Sequence, residues 1–279
     1  MGKAASVSPS SVAMVADADY PAVSVIIYSA GDPVMLDRLI TEVFAQDYPA
    51  EMEVIVVNDG KIAEIKDVVT RQQVRHRNLY VTFTPLEARN LSRRKLALTL
   101  GIKAARNEVV VLTDDCCLPA SDWWLRLMMY PFAQPSTEMV VGHAAVEGDN
   151  GFGGACRRFT MGADAVEYMS AVQSGRPYRA TGHNLAYRRD LFFNNKGFSR
   201  SLNLHDGDDD IFVNEVARRS SGCPAGIPSG KDTPCVHCVV PAPWHTDVVR
   251  PLFADDVAVA CAGRGGKCDV VAQYAGPGM

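Results

Sequence analysis

Val109-Val110-Val111-Leu112-Thr113-Asp114-Asp115-Cys116-Cys117-Leu118-Pro119 opens on an apolar run and ends on two carboxylates and two thiols. The run at 109–112 is β-branched, short and without alternation, which predicts a strand covered on both faces. Strands of that kind belong to parallel sheets sandwiched between helices. Ligands of such sheets sit in the crevice at the carboxyl ends of the strands, which is where Asp114 and Asp115 fall.

The same grammar holds on the amino-terminal side. Val23-Ser24-Val25-Ile26-Ile27-Tyr28, flanked by Pro21 and Gly31, predicts a first buried strand, and residues 53–57 and 79–83 predict two more. Between them, Leu36, Leu39, Ile40, Val43 and Phe44 recur at helical spacing after Asp32-Pro33. Helices are also predicted at 63–74 and, with the basic opening Arg93-Arg94-Lys95, at 92–105. Strand and helix in alternation give an α/β fold with a mostly parallel sheet flanked by helices on both faces. Further on, the pattern predicts a short helix at 122–132 and a strand at 139–145. A helix up to residue 172, a strand at 184–187 and a helix at 209–218 follow.

The two ends read differently. Residues 1–20 read as a flexible leader; Ser8, Ser10 and Ser11 interrupt the apolar centre that a secretory signal needs. Residues 220–279 are rich in Gly and Pro, lack periodicity and hold five of the eight cysteines. Cys235-Val236-His237-Cys238 with Cys261 and Cys268 has some zinc character. The later pair is separated by six residues, wider than the usual two to four, so scattered thiols are the preferred reading. The formal charge of −4 argues against nucleic acid as a partner, because phosphate binding needs a basic face. No apolar stretch reaches the ~20 residues that cross a bilayer. With no even cysteine framework, the expectation is a reduced, cytoplasmic compartment; the inner face of the cytoplasmic membrane, through peripheral contact, is compatible with it.

Several ordered motifs together resemble the bacterial family 2 glycosyltransferases. They are residues 23–27, Gln46-Asp47-Tyr48-Pro49, Val56-Val57-Asn58-Asp59-Gly60, the run from Lys95 to Ala105, Thr113-Asp114-Asp115-Cys116-Cys117-Leu118-Pro119, Gly182-His183-Asn184-Leu185-Ala186-Tyr187, Lys196-Gly197-Phe198 and Gly207-Asp208-Asp209-Asp210. The resemblance spans about residues 21–219 and implies a GT-A (Rossmann-like) domain there. It implies inverting transfer of a sugar from a nucleotide-diphosphate donor, UDP-sugar foremost, to the hydroxyl of a glycan or lipid-linked acceptor, in glycan or cell-surface polysaccharide synthesis.

The resemblance also implies roles. Asp209 is the general base with Asp208 beside it, and three adjacent carboxylates favour a raised pKa. The alternative for Asp208-Asp209-Asp210 is an acidic helix start favoured by the dipole. Asp114 is the first ligand of Mg²⁺ or Mn²⁺ on the donor diphosphate. The family's second aspartate is replaced by Cys116, a poor ligand for hard cations, so Asp115 is expected to supply the second oxygen from a shifted loop. Asp59 is either a nucleoside contact or a plain turn carboxylate with Gly60. Lys95 aligns with the family's lysine at the donor, and His183 and Asn184 fall on the acceptor side. Trp123 and Trp124 are expected in the core. The rival reading is a non-catalytic relative with a degraded donor site, suggested by Cys116 and by Tyr28-Ser29-Ala30-Gly31, where the family tends to keep an asparagine. A nucleotidylyltransferase would need a Gly-rich basic loop after the first strand, which Gly31 alone does not provide.

Overall fold

The computed structural model describes residues 16–59, 63–85, 91–147, 152–204, 207–220, 238–239 and 258–262. Gly60, most of the first twenty residues and most of the last sixty lie outside them, including the Cys235 and His237 positions weighed above. The elements are β1 (Val23–Ser29), α1 (Pro33–Phe44), β2 (Met52–Asn58), α2 (Glu64–Gln73), β3 (Leu79–Phe83), α3 (Arg93–Ala104), β4 (Val109–Asp114) and β5 (Cys117–Pro119). They continue with α4 (Trp124–Met129), β6 (Met139–Val141), β7 (His143–Glu147), α5 (Phe152–Gln173), β8 (Leu185–Arg188), α6 (Arg189–Asn194), α7 (Asp210–Ser220), β9 (Cys238–Val239) and β10 (Ala258–Ala262).

The main sheet has the order β3-β2-β1-β4-β8-β6-β9. Strands β3, β2, β1 and β4 run parallel, and β8 enters antiparallel to both β4 and β6. β1 is followed in sequence by its neighbour on one side, β2, and later by its neighbour on the other, β4. The chain order therefore reverses at the β1/β4 seam, where a crevice opens at the strand ends.

Alternation of side chains sorts the core into two layers. Val23, Val25, Ile27, Val109 and Val111 face one way, onto α1, α2 and α4, while Ile26, Val110 and Leu112 face the other, onto α3, α5, α6 and α7. All of these are fully or almost fully buried, each contributing roughly 1.5–3 kcal/mol relative to exposure. α1 starts where expected, with Asp32 capping Val34 N–H at 2.7 Å and Pro33 in the first turn. α3 lies close to the sheet because Gly101 has no side chain: a Cβ there would stand 2.6 Å from Ile26 Cγ2. Trp124 is fully buried, as expected of a core tryptophan.

Two departures matter for the site. The strand expected at 139–145 is broken at Gly142 into β6, in the main sheet, and β7, in a three-stranded sheet of order β5-β10-β7. Gly142 packs directly on Asn184, whose Nδ2 would be 2.3 Å from an added Cβ. In the carboxyl-terminal stretch, β9 pairs with β6, and β10 bridges β5 and β7. Among the described residues no helix is long and apolar enough to cross a membrane.

Candidate active site

Asp114 ends β4 on the same face as Val110 and Leu112, so its carboxylate points toward α3 and α7. Arg94, in the first turn of α3, reaches it there: Nη1 donates to Asp114 Oδ2 at 2.6 Å and Nε to Asp208 Oδ2 at 2.7 Å. The guanidinium thus ties the end of β4 to the start of α7, lying 5.1 Å from the centre of the Tyr28 ring. His183, in the turn before β8, brings Nδ1 to 2.9 Å from the same Asp114 oxygen, at an angle short of hydrogen-bond geometry. Asp114 Oδ1 is buried and has no hydrogen-bond partner.

The electrostatics follow from this packing. Burial by itself would raise the Asp114 carboxyl, but the charges of Arg94 and His183 outweigh it and hold the group well below the ordinary carboxylate range. Burial would likewise lower His183; the Asp114 carboxylate prevails and lifts it to about 9, so the imidazole is cationic at neutral pH. The centre therefore holds two cations between acidic groups.

Asp209 accepts Gly182 N–H at 2.8 Å on Oδ2 and Asp210 N–H at 2.7 Å on Oδ1. Its pKa is raised nonetheless, first by burial and then by the charge of Asp208. Asp210 is pushed up to about 6 by burial and by Asp209. For both groups burial is the larger cause and the neighbouring carboxylate the second.

Asp115 faces away from this cluster. Its Oδ2 accepts Ser29 Oγ–H at 2.9 Å, Ala30 N–H at 3.1 Å and Gly31 N–H at 2.9 Å, pinning the loop after β1. It follows Asp114 directly, in the turn that ends β4, and that single step turns its side chain away. Cys116, the next residue, is half-buried, with its Sγ 3.7 Å from Cys117 Sγ, and the two are not joined as a disulfide. Those two sulfurs and a ring nitrogen of His183 lie within 4.8 Å of one another.

The remaining candidates divide. Asp59 is fully buried and bound by Arg93, whose Nε donates to Oδ1 at 2.8 Å and whose Nη2 donates to the Asp59 carbonyl. Lys95 is also fully buried, and its ammonium donates to the carbonyls of Ser201 and Leu204. Asn184 is buried as a brace: Nδ2 donates to His143 O at 2.9 Å and Oδ1 accepts from Trp124 Nε1 at 3.1 Å. The structure therefore gathers Asp114, Asp208, Asp209 and His183, while Lys95 and Asn184 support the frame. Of the basic opening Arg93-Arg94-Lys95, Arg94 takes the place in the cluster that the resemblance implies for Lys95. Helical spacing carries the signal, because Lys95 shares the inward stripe of Leu98 and Ile102, leaving Arg94 toward the strand ends. Cys117 had no sequence signal beyond adjacency.

A family model for glycosyl transferase family 2 matches residues 24–194, and no curated protein matches the chain. Among solved structures, the mannosyltransferase PcManGT from Pyrobaculum calidifontis, in complex with GDP-Man and Mn²⁺, superposes with a TM-score of 0.59 at 18% identity. The match covers 86% of this chain and 56% of that one. S. aureus TarS 1–349 in complex with UDP-GlcNAc gives 0.58 at 16% identity, over 90% of this chain and 61% of that one. The chain thus spans somewhat more than half of either relative, and at such identities the likeness is one of fold. With most of the described domain, from β1 into α6, inside the matched segment, the chain belongs to glycosyl transferase family 2.

Proposed function

We propose that residues 21–219 form a catalytic unit that moves a sugar from a nucleoside-diphosphate donor, a UDP-sugar first, to a hydroxyl acceptor with inversion, in glycan or surface-polysaccharide synthesis. The observation that carries this is the convergence of Asp114, Arg94, His183 and Asp208-Asp209 at the carboxyl end of β4, at the point where strand order reverses. Inversion by single displacement requires a base for the acceptor O–H on the face opposite the leaving diphosphate. Asp209 has the chemistry of that base: its raised pKa brings proton affinity closer to neutral pH, and Gly182 N–H orients its carboxylate. The developing charge on the diphosphate needs cationic partners, and Arg94 supplies one. Asp208 holds Arg94 in place.

GDP-Man and Mn²⁺ accompany the Pyrobaculum relative, which supports a divalent cation as part of the donor site. The residues here do not fit Mg²⁺ or Mn²⁺, which favour several oxygen ligands. Asp115 Oδ2 is filled by three donors, Asp114 Oδ2 is occupied by Arg94 and a thiol stands at position 116, which leaves the buried Asp114 Oδ1 as a single oxygen without a hydrogen-bond partner in this motif. The same misfit supports the second reading, a relative that keeps the fold and has lost the chemistry.

Asp209→Asn discriminates. Calorimetric titration of UDP and GDP, with and without divalent cations, should show the same affinity for both proteins. Turnover on a panel of nucleotide sugars should fall about 10²–10⁴-fold in the variant. Absence of nucleotide binding by the unaltered chain would favour the non-catalytic reading.

A further inference from the structure

The donors that reject a hard cation form a coherent set of another kind. Cys116 Sγ, Cys117 Sγ and a ring nitrogen of His183 lie within 4.8 Å of one another, drawn together from the end of β4, the start of β5 and the turn before β8. Tetrahedral zinc with Zn–S bonds of about 2.3 Å requires its two sulfurs to stand ~3.8 Å apart. The Cys116–Cys117 separation is 3.7 Å, far from the ~2.05 Å of a disulfide. Adjacent strand residues would point to opposite faces, so this convergence depends on the turn at 115–116 that ends β4.

The surroundings complete the pattern. Asp114 Oδ2 stands 2.9 Å from His183 Nδ1, and carboxylates commonly stand beside ligating imidazoles in zinc sites. Asp114 Oδ1 is buried with no hydrogen-bond partner. We infer that Cys116, Cys117 and His183 form a site for a borderline-soft divalent cation, zinc above all, at the carboxyl end of β4. Among the described residues three ligands are offered, and tetrahedral zinc takes a fourth position beyond them. Assigning a diphosphate oxygen to that position rests on the proposed donor reading; the zinc site itself does not.

The test uses the full chain, reduced and metal-free, titrated with Zn²⁺, Co²⁺ and Mn²⁺ in the absence of nucleotide. Zn²⁺ should bind more tightly than Mn²⁺. Co²⁺ should produce a thiolate-to-metal charge-transfer band and the strong visible bands of tetrahedral coordination. Cys116→Ser and His183→Gln should each weaken Zn²⁺ by at least the ~10–100-fold that loss of a supporting partner costs. Circular dichroism checks that both variants keep the folded state. Cys156→Ser, an exposed thiol on α5, and the pair Cys235→Ser/Cys238→Ser should leave the band intact. Cys116→Asp should shift preference from Zn²⁺ toward Mn²⁺. A band that survives Cys116→Ser but vanishes with Cys235→Ser/Cys238→Ser would overturn the site, as would Mn²⁺ binding as tightly as Zn²⁺. Zinc bound by these residues without any affinity for nucleoside diphosphates would sink the donor reading and leave the site standing. Diphosphate binding with Mn²⁺ and no zinc affinity would do the reverse.

Discussion

Arg94→Met removes the guanidinium and keeps an unbranched apolar stem beside Tyr28, which isolates the charge. Two charge-assisted hydrogen bonds are lost, to Asp114 at 2.6 Å and to Asp208 at 2.7 Å. The carboxylates are 8% and 9% exposed, and Arg94 itself 22%. Breaking a buried ion pair from one side costs about 3–5 kcal/mol, because the partner is left charged and dry. Partial solvent access to Arg94 and the continued presence of His183 beside Asp114 bring the expected loss below that range, to about 2–3 kcal/mol at pH 7. The pH dependence fixes the mechanism. The folded Asp114 pKa lies below its unfolded value, so the stabilisation it contributes is fully present above about pH 4 and is lost as pH falls toward the folded pKa. The penalty of Arg94→Met should therefore shrink as pH is lowered from 7 to 3. Urea midpoints and slopes followed by circular dichroism across that range measure it. A loss under ~1 kcal/mol at pH 7, or one that stays constant down to pH 3, would refute the argument that Arg94 acts by neutralising buried carboxylates.

Gly142→Ala should destabilise the chain by ~1–3 kcal/mol, read from thermal melting, because the new Cβ would stand 2.3 Å from Asn184 Nδ2 and dislodge the brace to Trp124 and His143. Asp115→Ala should cost about 1–3 kcal/mol by stranding Ser29 Oγ–H, Ala30 N–H and Gly31 N–H; hydrogen exchange at Ala30 and Gly31 should accelerate. Asp210→Asn should stabilise the fold at pH 8 and have little effect near pH 3.5. The folded pKa, about 6, exceeds the unfolded value, so the native chain loses stability as pH rises from about 4 to 6, and an amide cannot ionise. Melting temperatures of the two proteins that run parallel from pH 3.5 to 8 would exclude this linkage.

The parts of the fold legible in the sequence are those governed by short-range periodicity. The apolar runs at 23–28 and 109–112 became β1 and β4, and the helical spacings after Asp32-Pro33 and after Ser92 became α1 and α3. The break at Gly142 was not legible, because it arises from contact with Asn184, 42 residues away in the chain. The entry of β9 and β10 into the sheets was hidden for a related reason. A two-residue strand such as Cys238–Val239 carries no period of its own, and its pairing depends on edges that other segments create.

The sequence by itself determined an α/β sheet with carboxylates at its strand ends and a motif order resembling one glycosyltransferase family. It did so because burial on both faces of a strand and on one face of a helix must be written locally in the residues. Tertiary structure alone decided how those residues divide their work. Asp114 and Asp115 are adjacent in the chain, yet one meets Arg94 and His183 while the other pins the loop after β1. Arg94 and Lys95 are adjacent as well, yet one enters the cluster and the other binds carbonyls at Ser201 and Leu204. A strand reverses its side chains at each residue and a helix turns by about 100°, so a one-residue step selects a different partner. Which partner waits on that side depends on segments brought in from as far as residue 208.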